Sequence, residues 1–399
     1  MQYQRFDPAG CDFPQPRVPV LPTLSRHSLT FGARARVHDQ AVEFSELSYA
    51  RGRYALTDAY RHCGVAAGTA VLIPAYHCRT MLDPAIALGA EVALYPMRGD
   101  LAPDLAGIKA CLAACQHPVK AMLVTHYFGF VQKLDALLEF CSNHDVALIE
   151  DCCHCFPTMA STMAPGRLGR CSVWSPYKFH PCEDGGTLHA KLGSRIAPLP
   201  SPISSFRGEL AALARMLQRA WSCPPTPDPG ALAHEIAALQ LHPINCGKDH
   251  VQISTEPSDQ YVNAQAGRRG LAVSRCIGRH TDASRVTRLR RQNYLQWTRV
   301  TAALPHCRAL YPSLPADCVP YMFALYIDHP QTHFFMLKRL GMPIWRWDDM
   351  AVSACDVSLE YRLHLLHLPC HQELSADQMV WMAAAVTSAL TMVPAGTRT

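Results

Sequence analysis

Between residues 70 and 175, short apolar runs alternate along the chain with stretches of helical spacing, and no other feature limits the fold as tightly. The runs AVLIPAY (70–76), EVALYPM (91–97), AMLVTHYFG (121–129), VALIEDC (146–152) and CSVWS (171–175) read as buried strands. Between several of them lie MLDPAIALGA, LAGIKACLAAC and KLDALLEFCSNH, whose apolar residues recur at helical intervals. Strand and helix in alternation predict an α/β fold, a mostly parallel central sheet with flanking helices on both faces. Such a sheet binds its ligand beyond the carboxyl ends of its strands.

Residues 1–40 are rich in proline, lack any period and are expected to form an N-terminal arm. A large domain is expected over 41–284, although its second half is less patterned and SCPPTPDPG (222–230) reads as a loop. ASRVTRLRRQNYLQWTRVTAAL (283–304) has the pattern of a long helix, followed by the strand YMFALYIDH and the helices QTHFFMLKRLG and ADQMVWMAAAVTSAL. This predicts a smaller C-terminal α+β domain over 285–399.

A chain of 399 residues is long enough for two such cores. Its formal charge of +5 suits an anionic small molecule and falls far short of the basic stripe of a nucleic-acid binder, so no nucleic-acid partner is expected. The first twenty residues, MQYQRFDPAGCDFPQPRVPV, lack the apolar centre of a secretory signal. No apolar run approaches the roughly 18 residues of a membrane span. A cytoplasmic location without a membrane partner, and with the 18 cysteines reduced, is the expectation.

Chemistry concentrates at two places. The run VALIED puts Glu150 and Asp151 at the ligand edge of the sheet, and Lys178 follows 27 residues later in WSPYKFHPCEDGG (174–186), just past another strand. A lysine in a pocket can lose its proton and form a Schiff base with an aldehyde. A carboxylate across that pocket can pair with a protonated ring nitrogen, and pyridoxal phosphate needs both. It also needs a phosphate cradle, for which Gly52 and Arg53 in YARGRYALTDAYRHCG (49–64) open a helix whose free N–H groups favour an anion. The bland readings are an exposed lysine, a turn carboxylate and an ordinary helical arginine. DCCHC (151–155) invites a zinc site, but neighbouring residues on an extended strand point to alternate faces and cannot wrap one tetrahedral ion. No metal is expected; the thiols read as small packing residues and His126 as structural.

Taken in order, these motifs resemble the DegT–StrS family of pyridoxal-phosphate sugar aminotransferases, which has the fold-type I architecture. GRYAL (52–56), GTAVLIPAYHC (68–78), LGAEVALYP (88–96), THYFG (125–129), LIEDCCHC (148–155) and VWSPYKFHPCEDGG (173–186) are similar to the family's successive motifs, and LHLLHLPCHQELSADQM to one near its end. The likeness is closest over 45–190 and looser over 285–390. It implies Lys178 as the Schiff-base lysine and Asp151 as the partner of the pyridine nitrogen. His154 stands where the family has glutamine, a contact to the ring hydroxyl. Gly52 and Arg53 stand at the phosphate cradle, with arginine replacing the family's threonine. Ser175 and Ser172 are the two candidates for a phosphate serine, since the family's serine falls at Val173. The family's ring-stacking aromatic falls at Cys78, which leaves Tyr76 or His77 to stack on the ring.

The resemblance implies a homodimeric aminotransferase that moves an amino group from an amino acid, L-glutamate by family habit, to a keto acceptor such as a keto-sugar nucleotide. The family's sugar dehydratases carry histidine in place of the lysine, so Lys178 argues against that branch. One rival reading keeps the cofactor but performs elimination, condensation or decarboxylation on an amino acid. Another is a non-catalytic protein on the same scaffold, for which Lys178 and Asp151 would have no physical use.

Overall fold

The computed structural model describes residues 1–8, 11, 13–29, 44–156, 164–191, 205–222, 224–241 and 251–392. The chain opens with strand β1 (Tyr3–Phe6). The next seven strands form one sheet: β2 (Phe44–Tyr49), β3 (Ala70–Pro74), β4 (Glu91–Tyr95), β5 (Val119–Thr125), β6 (Ala147–Asp151), β7 (Cys171–Trp174) and β8 (Gly186–Lys191). Their spatial order is β2-β8-β7-β6-β5-β3-β4. The five strands from β7 to β4 run parallel, while β8 is antiparallel to β7 and β2 to β8. The expected parallel core is present, and the antiparallel edge is an addition that the apolar runs did not signal.

Helices α1 (Gly52–His62), α2 (Arg79–Ala87), α3 (Leu105–Ala114) and α4 (Asp135–Asn143) connect the strands. Both faces of the sheet are covered, which is why β3 is a continuous apolar run with every residue buried. On one face Val71, Ile73, Leu123, Ile149 and Val173 pack against Ala55, Ala59 and Tyr60 of α1 and Leu82 of α2. On the other, Leu72, Met122, Val124 and Leu148 meet Leu137 and Phe140 of α4 and the core of the C-terminal part. This two-residue period decides which side chains at the sheet's carboxyl edge can meet.

Beyond β8 come α5 (Phe206–Trp221), α6 (Leu232–Leu241), β9 (Val251–Ser254), α7 (Ala272–His280) and α8 (Ala283–Thr301). The C-terminal part adds β10 (Cys307–Ala309), β11 (Met322–Ile327), α9 (Pro330–Arg339), β12 (Met350–Ala351), α10 (Asp356–His364), β13 (Leu365–Pro369) and α11 (Ala376–Leu390). β11 is the middle of an antiparallel sheet, order β10-β11-β13, and Trp297 of α8 and Trp381 of α11 are fully buried in the same core. α11 begins at a capping box in which Ser375 and Gln378 satisfy each other's backbone N–H groups.

The N-terminal segment is more than an arm. β1 is the centre of an antiparallel sheet, order β12-β1-β9, in which Tyr3 lies opposite both Ala351 and Ser254. Phe6 and Phe13 pack among Phe334 and Phe335 of α9, with ring centres 5.8–6.2 Å apart. The proline content hid this, because a single short strand with partners far along the chain has no local signature.

Gly186 fixes where α1 begins. A Cβ at this position would stand 2.3 Å from the Arg51 carbonyl carbon and 2.5 Å from the Gly52 nitrogen, both backbone atoms that cannot swing aside. Gly186→Ala is expected to destabilise the fold by about 1–3 kcal/mol, the usual range for overpacking, and to displace the first turn of α1. A urea titration reads the first effect as a lower midpoint at unchanged slope.

Candidate active site

The carboxyl edge of the sheet brings Asp151 and Lys178 to one place. Asp151 ends β6 on the face that packs on α1; it is buried, and its Oδ1 accepts the Cys153 N–H at 2.9 Å. Lys178 follows β7 on a short turn, where its N–H bonds the Ser175 carbonyl at 3.1 Å. Cys78 and Cys153 lie close enough to both residues to feel the charge of each. The Lys178 Nζ stands 5.3 Å from the centre of the Tyr321 ring, which comes from the C-terminal part of the chain.

Burial pulls the Lys178 pKa down, while Tyr321, Tyr177, Cys153 and Cys78 push it up, and the net direction is upward. That upward push operates only when those phenols and thiols are ionised. Burial holds Tyr321, Cys153 and Cys78 above their ordinary values, so at neutral pH they are uncharged. What acts on Lys178 there is desolvation, which favours the neutral amine that a Schiff base requires.

The cradle beside this pair is built from backbone. Arg51 precedes α1 without a side-chain cap, which leaves the first-turn N–H groups of the helix without a side-chain acceptor. Gly52 brings that turn close to the end of β7: a Cβ there would lie 3.1 Å from Cys153 Sγ and 3.4 Å from Ser175 Oγ. Ser175 is therefore the serine at the helix N-terminus. Ser172 sits on the opposite face of β7 from Val173, paired with Glu150, and its Oγ accepts the Trp174 indole N–H at 3.0 Å. Strand alternation thus separates the two serine candidates. Arg53 is turned to the Gln260 carbonyl, to which its guanidinium donates, and it lines a cavity of about 410 Å³ with Arg51, Tyr54, Asp184, Gln260 and Arg268.

The remaining candidates fall into two groups. His154 is sandwiched between Phe128 and Tyr321, ring centres 5.6 and 4.5 Å away, and its Nδ1 accepts the Phe128 N–H. Burial holds its pKa well below the ordinary value, so it is neutral, and the Phe128 N–H at Nδ1 leaves its proton on Nε2. Tyr76 lies 5.0 Å from the Trp347 ring, and its hydroxyl pairs with His367 Nε2 at 3.0 Å. His367 also feels Lys178, and burial lowers its pKa to about 3. By contrast His77 is a structural tie: its Nδ1 donates to the Ala75 carbonyl at 2.9 Å, and its Nε2 accepts the Ala351 N–H at 3.1 Å.

Glu150, next to Asp151, faces away from the site. It accepts the N–H groups of Gly166, Leu168 and Gly169 at 2.7, 2.8 and 2.6 Å, and His126 Nε2 lies 3.0 Å from its Oε2. With Cys152 these two residues form a buried group of ligand-type atoms within 4.8 Å of one another. The Gln132 N–H occupies His126 Nδ1, so His126 Nε2 carries the proton donated to Glu150, and neither side chain has a lone pair left over for an ion.

Sequence reasoning missed Arg290, Tyr321, Trp347 and His367. Arg290 of α8 is fully buried and donates to the carbonyls of Lys178 (3.0 Å), Pro320 (3.2 Å) and Tyr321 (3.1 Å) and to Gln372 Oε1 (2.8 Å). One signal was available: Arg290 falls in phase with Val286, Tyr294, Trp297 and Thr301, the buried stripe of α8.

A mostly parallel sheet with Lys178 and Asp151 at its carboxyl edge, beside an uncapped helix N-terminus, offers the groups that a pyridoxal-phosphate site requires. The sequence model of the DegT/DnrJ/EryC1/StrS aminotransferase family matches residues 45–191, the segment that carries Asp151 and Lys178. L-glutamine:scyllo-inosose aminotransferase of Streptomyces griseus is 30% identical over 139 residues, 34% of this chain and 32% of that protein, so the match spans about a third of its length. The aminotransferase TlmJ from Streptoalloteichus hindustanus superposes with a TM-score of 0.64 at 19% identity, covering 94% of this chain and 98% of that one. PseC of Helicobacter pylori, an aminotransferase of pseudoaminic acid biosynthesis, gives 0.62 at 12% identity over 95% and 99%. Among the described residues no helix is long and apolar enough to cross a membrane.

The Glu150 environment has a pH signature. Burial alone would raise its pKa, but the hydrogen bond from His126 and the backbone N–H groups outweigh that and hold it below the ordinary 4.5. A carboxyl that binds its proton less tightly when folded stabilises the fold above its unfolded pKa. That contribution is lost as the pH falls through the lower folded value. Glu150→Gln should therefore flatten the acid limb of a stability-against-pH curve below about pH 4.5 while lowering stability at neutral pH. A parallel displacement of the whole curve would refute the assignment.

Proposed function

We propose that the protein is an aminotransferase that takes an amino group from an amino acid and delivers it to a keto acceptor. The observation that carries this reading is the convergence of Lys178, Asp151 and the first turn of α1 at one edge of the sheet. The residues fit pyridoxal phosphate: the space that Gly52 leaves against Ser175 suits its phosphate, Asp151 its ring nitrogen and Lys178 its aldehyde. When bound, that group supplies an aldehyde that exchanges amines and a ring that takes up the electron pair left at the donor's α-carbon. Lys178 Nζ holds the group at rest and, once a donor amine has displaced it, is the base that takes and returns the proton at that carbon. The Asp151 carboxylate keeps the ring nitrogen protonated. Ser175 Oγ and the N–H groups of Gly52 and Arg53 hold the phosphate. His154, with its proton on Nε2, is placed to donate to the ring hydroxyl, and the wall of Tyr76, Trp347 and Phe128 excludes water.

L-Glutamate and L-glutamine are the donors we propose, the second because the curated relative is named for it. For the acceptor we propose a keto-sugar nucleotide or a ketone of similar shape, and a homodimer in the cytoplasm as the working unit. The cavity beside α1 is lined by Arg51, Arg53, Arg215 and Arg268 and also by Glu183, Asp184 and Asp259, a small positive excess that is compatible with an anionic acceptor.

A transaminase completes its first half-reaction without any acceptor. Glutamate or glutamine alone should therefore discharge the absorbance of the lysine-bound aldehyde and release one equivalent of the corresponding 2-oxo acid per site. Lys178→Ala should no longer be labelled covalently when borohydride is added with the cofactor. If wild type is labelled through Lys178 but no donor among glutamate, glutamine, aspartate and alanine discharges it, transamination is wrong and elimination or decarboxylation remains.

Asp151→Asn keeps the shape of the side chain and removes its charge. Turnover should fall by at least about a hundredfold, the scale of a lost charge-stabilising contact, with weaker retention of the cofactor. Near-normal turnover in this variant would overturn the role given to Asp151.

A further inference from the structure

Far from this edge, three histidines gather where β11 leads into α9. His329 caps α9 and His333 lies one turn further on, the i, i+4 spacing that sets two imidazoles on one helix face. His306, in the turn before β10, adds the third ring. It is held there at φ 60°, a left-handed conformation unusual for a residue with a side chain, while its carbonyl accepts the Asp328 N–H at 2.9 Å. The ring centres are separated by 5.0 Å (His306 to His329), 5.8 Å (His306 to His333) and 5.7 Å (His329 to His333).

The buried member of the trio is prepared for a ligand. His333 is fully buried; its Nε2 lies 3.4 Å from the Met392 carbonyl, and its Nδ1 is buried without a hydrogen-bond partner among the described residues. A proton on Nε2, donated to that carbonyl, leaves a bare lone pair on Nδ1. This is the arrangement of a metal-ligating histidine, whose second nitrogen is tied to a backbone carbonyl. From these observations we infer that His306, His329 and His333 form a binding site for a divalent transition ion of the zinc class.

The spacing suits that chemistry. With metal–nitrogen bonds of about 2.0–2.1 Å, each ring centre lies about 3.2 Å from the ion, and two rings at a tetrahedral angle stand about 5.2 Å apart. The nitrogens of the trio do not all lie within 4.8 Å of one another, so closure requires the rings of His306 and His329 to turn. Both are part-exposed, and among the described residues no hydrogen bond ties either ring. Asp328, adjacent in sequence and close enough to act on His333, or a water molecule completes the fourth position. The ion would join the β10 turn, the start of α9 and the chain end after α11 as a structural staple in the C-terminal part.

The test is a calorimetric titration of the tag-free, cofactor-loaded protein with Zn²⁺, alongside His306→Ala, His329→Ala and the double variant. One Zn²⁺ should bind per chain, at least about tenfold more weakly in each single variant and undetectably at this site in the double. Cobalt(II) separates this site from one made by the many cysteines, because thiolate ligation adds an intense near-ultraviolet charge-transfer band that imidazoles do not. Wild type that binds no ion, a double variant with unchanged affinity, or cobalt binding that shows the thiolate band in both would each overturn the proposal. Circular dichroism of the variants confirms that they fold, and their amino-donor half-reaction should match wild type.

Discussion

One buried guanidinium holds the two ends of the site together. Among the described residues no carboxylate hydrogen-bonds Arg290, although Glu373 is near enough for its charge to be felt; the guanidinium is met by three backbone carbonyls, an amide oxygen and the face of Phe179, 4.5 Å from the ring centre. Burial lowers its pKa to about 10, which still leaves it charged at neutral pH. An uncompensated charge in such a place would cost several kcal/mol, so every bond it makes is needed. Two of those bonds reach the Lys178 carbonyl and the Tyr321 carbonyl, the residues whose side chains meet in the site. Gln372 completes the arrangement by donating to the Phe179 carbonyl at 2.8 Å while accepting from Arg290. The turn that presents the lysine is thus set by the C-terminal part of the chain, although the lysine itself belongs to the large sheet.

Around that clamp the site is aromatic and neutral rather than charged. His154, His367 and His77 are all held uncharged by burial. Cys78 stands where the family places a stacking ring, and Tyr76, the nearest aromatic candidate, is engaged with His367 and Trp347. In the reading we propose, the polar work at the cofactor position falls on few groups, Asp151, Lys178, Ser175 and the α1 backbone, set in an interior where polar interactions are strong.

What could be read from the sequence divides along the range of the interactions. The parallel core was legible because strands buried on both faces are continuous apolar runs: β3, β6 and β7 lie inside the segments so marked, and β5 begins two residues before its segment. Lys178 and Asp151 stood out because their chemistry is rare beside such runs. The alternation of a strand, followed one residue further, also tells Asp151 from Glu150 and Ser172 from a residue that can face α1. Arg290, Tyr321 and His367 left no comparable mark, since each acquires its role from a partner a hundred or more residues away. The strand β1 was hidden for the same reason, with proline-rich neighbours reading only as an arm.

That strand has a consequence for how the molecule is made. Tyr3 and Gln4 pair with Ala351 and Met350, so they must wait for a segment made much later in synthesis to find their place. Until then the strand's hydrogen-bonding edges and the rings of Phe6 and Phe13 have no complete partner surface. Arg290 and Tyr321 also emerge late, so the large sheet can be synthesised in full before Lys178 is fixed in position. Synthesis therefore delivers the large sheet first, and both the completion of the sheet around β1 and the fixing of Lys178 wait for the later segments.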